Sequence, residues 1–165
     1  MESDKILYLS QSFFRRVYKQ ITHHPDYLFY KAVTIHRKYR MAKDEKRWVK
    51  TFCYSILANR ISSKYNLELY GKFREQLRIW HGNIVINGSA VLGNNVNLHG
   101  NNCIGENHGK APKIGNNVDI GYGSTIIGDV VIADNVTIGA NSVVTKSFNE
   151  KGVVIAGCPA KIIKK

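Results

Sequence analysis

The chain predicts a mainly β fold, a parallel β-helix with a small N-terminal α-helical region. Aliphatic residues recur every six positions, at Ile86, Leu92, Leu98 and Ile104, then at Ile114, Ile120, Ile126, Ile132, Ile138 and Val144. Small or β-branched residues stand four places after many of them, at Ala90, Val96, Val118, Ser124, Val130, Val136 and Ser142. A small residue often follows the aliphatic one at once, as at Gly93, Gly105, Gly115, Gly121, Ala133 and Gly139. No α-helix has period six, and a lone amphipathic strand has period two, so the beat reads as a stack of coils.

Residues 1–65 read as two or three short amphipathic helices. Ser3 or Asp4 caps a first helix in which Ile6, Leu7, Phe13, Phe14, Val17 and Ile21 recur at helical spacing. His24-Pro25-Asp26 breaks it, because proline disfavours helix in the residue before it. Asp26 then caps a second segment holding Leu28, Phe29, Ala32, Val33 and Ile35. A third follows Lys43-Asp44 through Trp48, Phe52, Ile56, Leu57 and Ile61. These helices are expected to cap the solenoid base, where an end coil exposes its apolar interior and unpaired edge. Residues 66–80 form a transition, the hexads run from about Trp80 to about Val144, and the tail 145–165 leaves the repeat. The organisation expected is a helical cap over 1–65 and a β-helix domain with its tail over 66–165.

The 165 residues are 44% hydrophobic and suit one compact unit. No apolar run reaches the length of a membrane span, and the start lacks a secretory pattern. Cys53, Cys103 and Cys158 are scattered, which fits free thiols in a reducing compartment, so a cytoplasmic protein is expected. Net charge is +12, of which residues 1–75 carry +9 and residues 76–165 carry +3. Nucleic acid, an anionic membrane surface or a phosphorylated ligand would each suit that excess, as would a merely solvated basic face. No DNA- or RNA-binding motif accompanies it, so no nucleic-acid partner is expected.

One interruption breaks the beat. Ile104 to Ile114 spans ten residues instead of six, and the loop holds Glu106-Asn107-His108-Gly109-Lys110-Ala111-Pro112-Lys113. A solenoid tolerates an insertion by extruding it. The hexads, this loop and the tail Ala156-Gly157-Cys158-Pro159-Ala160-Lys161 resemble the hexapeptide-repeat acyltransferases over residues 66–165. Within them the chain looks most like the serine acetyltransferase group and its relatives in capsule and exopolysaccharide gene clusters. The resemblance implies a left-handed β-helix with three hexads per triangular coil. It also implies a homotrimer with active sites between subunits, acetyl-CoA as co-substrate and direct transfer.

An implied 18-residue coil would stack His81 and His99 on one face, each after an inward residue, Trp80 and Leu98. A hydroxyl acceptor needs a base, worth about 10²–10⁴-fold, and imidazole titrates near the working pH. The stretch Ile79-Trp80-His81-Gly82-Asn83-Ile84-Val85-Ile86 resembles the family segment holding the catalytic histidine. It departs from that segment in having Trp80 where the family has Asp, and in a spacing one residue shorter. His81 is therefore the expected base, His99 a second catalytic group that binds acceptor or helps hold the oxyanion, and Glu68 the group orienting the base. Trp80, Asn83 and His108 are expected to meet the acceptor. For each histidine the alternative is an exposed residue that merely covers the sheet.

Gly121, Tyr122, Gly123, Ser142, Ala156, Gly157 and Lys161 are the expected cofactor contacts, with Asn141 a similar candidate and the terminal lysines near the phosphates. Glycine is equally wanted at tight solenoid corners. Cys158 is not expected to act as a nucleophile, since no base lies near it in sequence. Zinc-dependent members of the solenoid class use closely spaced histidines that are missing here, so no metal is expected. The acceptor expected is a hydroxyl of a polysaccharide or glycan precursor, with Trp80 stacking on the sugar and the basic helices at the inner membrane surface. The alternative is serine O-acetylation in cysteine biosynthesis.

Overall fold

The computed structural model describes residues 2–9 and 12–164. Four helices lead the chain: α1 (Glu2–Leu9), α2 (Phe13–Ile21), α3 (Pro25–Asp44) and α4 (Trp48–Tyr65). The first expected helix is thus two. Asp4 lies inside α1 and is buried, so it is not a cap. The side chains of Ser3, the other expected cap, and of Ile6 lie outside the described residues. His24, rather than Asp26, caps α3, its Nδ1 accepting the Asp26 N–H at 3.3 Å. Pro25 takes the first helical position, where no N–H is needed. Asn66 ends α4 in the left-handed region, at φ 51°.

The rest winds through three parallel sheets in turn. Sheet A stacks β1 (Leu67–Leu69), β4 (Ile84–Ile86), β7 (Cys103–Gly105), β10 (Thr125–Ile127) and β13 (Val143–Val144). Sheet B stacks β2 (Lys72–Phe73), β5 (Val91–Leu92), β8 (Lys113–Ile114) and β11 (Val131–Ile132). Sheet C stacks β3 (Arg78–Ile79), β6 (Asn97–Leu98), β9 (Asp119–Ile120), β12 (Thr137–Ile138) and β14 (Val154–Gly157). β15 (Ala160–Lys164) folds back antiparallel on β14. All ten aliphatic residues of the beat are buried, as are the seven small or β-branched ones. Each fully buried Ile or Leu contributes about 1.5–3 kcal/mol over an exposed one.

The winding continues beyond Val144, which corrects the expected boundary. Phe148 pairs with Ile132, and Ile155 stacks on Ile138. The first coil corrects a second expectation. Ile86 pairs with Ile104, eighteen residues on, but Leu69 pairs with Ile86 after seventeen and Ile79 with Leu98 after nineteen. Ile79, not Trp80, is therefore the inward residue; Ile79 is buried and Trp80 is 42% exposed. At the corner between sheets B and C, Asn95, Asn117 and Asn135 all hold left-handed φ. Their amides form a ladder, Asn95 Nδ2 to Asn117 Oδ1 and Asn117 Nδ2 to Asn135 Oδ1, both 3.0 Å. Asparagine suits the position because it tolerates that φ and both donates and accepts.

Helices α1, α3 and α4 close the lower end. Tyr8, Leu9, Phe29, Ala32 and Val33 join the solenoid interior in one core. Their polar side chains satisfy the open edge of the first coil, which has no coil beneath it. Tyr8 Oη donates to the Leu77 carbonyl at 3.0 Å and accepts the Ile79 N–H at 2.6 Å. Burial pushes that hydroxyl's pKa well above its usual range, so it stays a donor. Asp4 accepts the Gln76 N–H at 2.8 Å and pairs with Arg37, which donates to the Arg74 carbonyl at 2.6 Å. Arg40 donates to the Tyr70 carbonyl at 3.1 Å. Between the helices, buried His36 meets Ser62 Oγ at 2.9 Å, and burial pushes the imidazole down to about 4.

Two outcomes follow from these contacts. Tyr8→Phe leaves the Leu77 carbonyl and Ile79 N–H unpaired and should cost about 1–3 kcal/mol in denaturant unfolding. His36 stays neutral when folded down to about 4, whereas the unfolded ring protonates below about 6.5. Stability is therefore complete above that higher value and lost as pH falls toward the lower one. The loss should be on the order of 3 kcal/mol, and urea midpoints of His36→Gln should lack most of it.

Candidate active site

The corner joining β3 to β4 gathers the chemistry. Trp80 to Asn83 turns from sheet C to sheet A with one residue more than the corner above it, which runs from His99 to Asn101. Trp80 N–H bonds the Leu98 carbonyl, and Asn101 N–H bonds the Gly82 carbonyl at 3.0 Å. His81 is the residue left over between these bonds, so it stands out from the corner. Gly100 lies above it at φ +118°, and a Cβ there would come 2.6 Å from the His81 Cβ and 3.0 Å from the Tyr122 ring. Tyr122 meets the imidazole edge-on, ring centroids 6.5 Å apart.

The expected His81–His99 stack is not formed. Trp80 stacks on His99 instead, centroids 5.7 Å apart and planes at 18°. The nineteen-residue step from Ile79 to Leu98 is the cause. The Arg78 guanidinium lies 3.8 Å from the Trp80 ring centroid. Asp119 Oδ1 holds His99 Nε2 at 2.8 Å. A carboxylate only accepts, so in the neutral ring Nε2 carries the hydrogen and Nδ1 the lone pair. Asp119 was missed in the sequence. Counting the four-residue insertion puts Gly121 above His99 and Asp119 diagonally beside it.

Above this stack sheet C is nearly bare. The residues that follow its inward positions are Trp80, His99, Gly121 and Gly139, each donating its N–H to the coil above, and Ala156, which pairs with the tail strand. Beyond His99 the column carries nothing larger than a methyl group. Lys161 pairs with Ala156 at its upper end. Gly123 and Gly157 hold positive φ at nearby turns. Ser142 is corrected as a cofactor contact: it is buried and donates to the Gly139 carbonyl at 2.6 Å. Lys165 lies outside the described residues.

On the other side of the corner, α4 and sheet A enclose a cleft of about 560 Å³. Glu68 and Cys103 stand on its floor, Asn66, Asn83 and Asn101 along one wall, and Ser62 on the helix. Burial and the charge of Glu68 raise the Cys103 thiol, which stays protonated. Among the described residues no hydrogen bond or ion pair joins Glu68, on the cleft floor, to His81. His108 sits apart from both histidines. It lies exposed in the extruded loop between β7 and β8, at the corner of sheets A and B, where Asn107 and Lys110 pair. Cys158 is exposed on the tail. Among the described residues no group of His, Cys, Asp and Glu could hold a metal ion.

Comparison with known proteins adds to this geometry. Residues 111–146 match the family of bacterial transferase hexapeptide repeats (six repeats). A serine acetyltransferase of Staphylococcus epidermidis is 39% identical over 98 residues, covering 56% of this chain and 46% of the relative. The chain spans about half the length of the curated relatives it matches. A crystal structure of serine acetyltransferase from Brucella abortus superposes with TM-score 0.80 at 27% identity, over 99% of this chain and 66% of that one. A structure of that organism's enzyme in complex with coenzyme A gives 0.72 at 29%, over 82% and 56%.

These likenesses overturn the expected glycan acceptor, since the matching proteins are serine acetyltransferases. The geometry removes its physical basis as well: the Trp80 ring is occupied by Arg78 and His99 and is not free to stack on a sugar. Its six-residue repeats, wound into a parallel solenoid, are similar to those of the bacterial hexapeptide-repeat transferases over residues 111–146.

Proposed function

We propose that the chain is an acetyl-CoA-dependent O-acetyltransferase whose acceptor is serine. One observation carries the reading: His81 stands at the corner between a polar cleft and a bare column of backbone. The column suits a pantetheine arm, with Gly121, Gly139 and Ala156 allowing close approach and Lys161 at the phosphate end. The cleft suits an amino acid. Glu68 faces its ammonium, and the amides of Asn66, Asn83 and Asn101 face its carboxylate.

Serine Oγ attacks the thioester carbonyl and gives its proton to His81. The tetrahedral adduct expels the CoA sulfur, the C–S bond breaks, and the sulfur takes that proton. His99, fixed by Asp119, provides a second imidazole at the foot of the column. A threefold assembly completes the proposal, because the loop carrying His108 projects from a different corner and reaches a neighbour's site rather than its own.

Purified protein should release CoA thiol from acetyl-CoA when L-serine is added, and lack of serine dependence would reject the acceptor. His81→Ala should lower kcat/KM by about 10²–10⁴-fold. Gly100→Ala meets a disallowed φ and the His81 Cβ together; it should cost about 1–3 kcal/mol and reduce turnover about tenfold by displacing that ring.

A further inference from the structure

Helix α2 is turned inside out. Phe13, Phe14, Tyr18 and Ile21 are 64%, 82%, 63% and 71% exposed. The opposite, basic side leans on the molecule: Lys19 Nζ donates to the Tyr8 carbonyl at 2.9 Å and to Asp26 at 2.6 Å, and Arg16 is half-buried. Arg15 stays exposed on the flank, and α2 contains no acidic residue. A nine-residue helix held by its polar side with four large apolar side chains in water is costly unless something covers them.

We propose that α2 is a peripheral anchor that lays this face into an anionic lipid surface. Charge complementarity selects that occupant. The chain carries +12 overall and +9 within residues 1–75, so a second copy of the same basic end is repelled while an anionic bilayer attracts it. Aromatic and aliphatic side chains on one face with Arg and Lys along the other are what an interfacial helix needs. Among the described residues no helix is long and apolar enough to cross a membrane, so the contact is one of lying on the surface. The inference is independent of the acceptor.

Vesicle sedimentation of the full chain tests it. Wild type should pellet with phosphatidylcholine–phosphatidylglycerol vesicles at low salt. Binding should fall about fivefold on pure phosphatidylcholine or in about 0.5 M salt. Phe14→Ser with Ile21→Ser should lower binding about tenfold while the circular-dichroism melt and acetyl transfer match wild type. Arg15→Glu, which leaves the apolar face intact, should weaken anionic binding alone. Three results overturn the proposal. Wild type fails to bind anionic vesicles at low salt; the double serine variant binds as well as wild type; or light scattering finds a larger wild-type assembly that the double variant splits, which assigns the face to a second copy.

Discussion

Each coil must return its inward residue onto the one below, and that constraint shapes the rest of the molecule. Backbone hydrogen bonds and a close-packed aliphatic column both fail if a strand slips by one residue, because a slip turns every side chain to the other face. Any extra residue must therefore leave at a corner. Two such departures shape the surroundings of the site. Four residues leave between sheets A and B as the loop carrying His108. One leaves between sheets C and A, and that one is His81. The candidate base is thus a product of register: it is exposed because the coils on either side cannot accommodate it. Gly100 makes the arrangement possible by offering no side chain against it.

The helices do more than hide the end of the stack. A parallel sheet edge leaves alternate N–H and C=O groups open, and here side chains take the place of a missing coil. Tyr8, Asp4, Arg37 and Arg40 reach the backbone of residues 70–79. The same helices build one wall of the cleft, through Ser62 on α4, and His36 braces that serine from behind. Cap and cleft are therefore one construction.

Much of this was legible in the sequence and some was not. The six-residue beat identified the inward residues from Ile86 to Val144, because burial of an aliphatic column is a strictly periodic demand. The insertion was equally plain. The first coil was not legible, since Leu67, Leu69, Phe73 and Leu77 do not keep the beat. That single irregularity moved Trp80 outward and separated His81 from His99. Asp119 escaped because its partner lies in another coil, diagonally, across an insertion. Ser142 was expected at the cofactor by resemblance, yet it keeps the phase of the small buried residues and its hydroxyl bonds the Gly139 carbonyl inside the turn. The helical caps were misplaced by the short-range rule that favours acidic residues before a helix; Asp4 serves Arg37 and the Gln76 N–H instead.

The pairing distances along the chain have a kinetic side. Parallel partners lie sixteen to twenty-two residues apart along the winding. Loop closure over such a span is cheap, so winding can begin at any coil and spread to its neighbours. The docking of Tyr8 onto Leu77 and Ile79 bridges about seventy residues, and it gains nothing until the first coil exists to receive it. Folding of this chain is accordingly a local propagation closed by one long-range step.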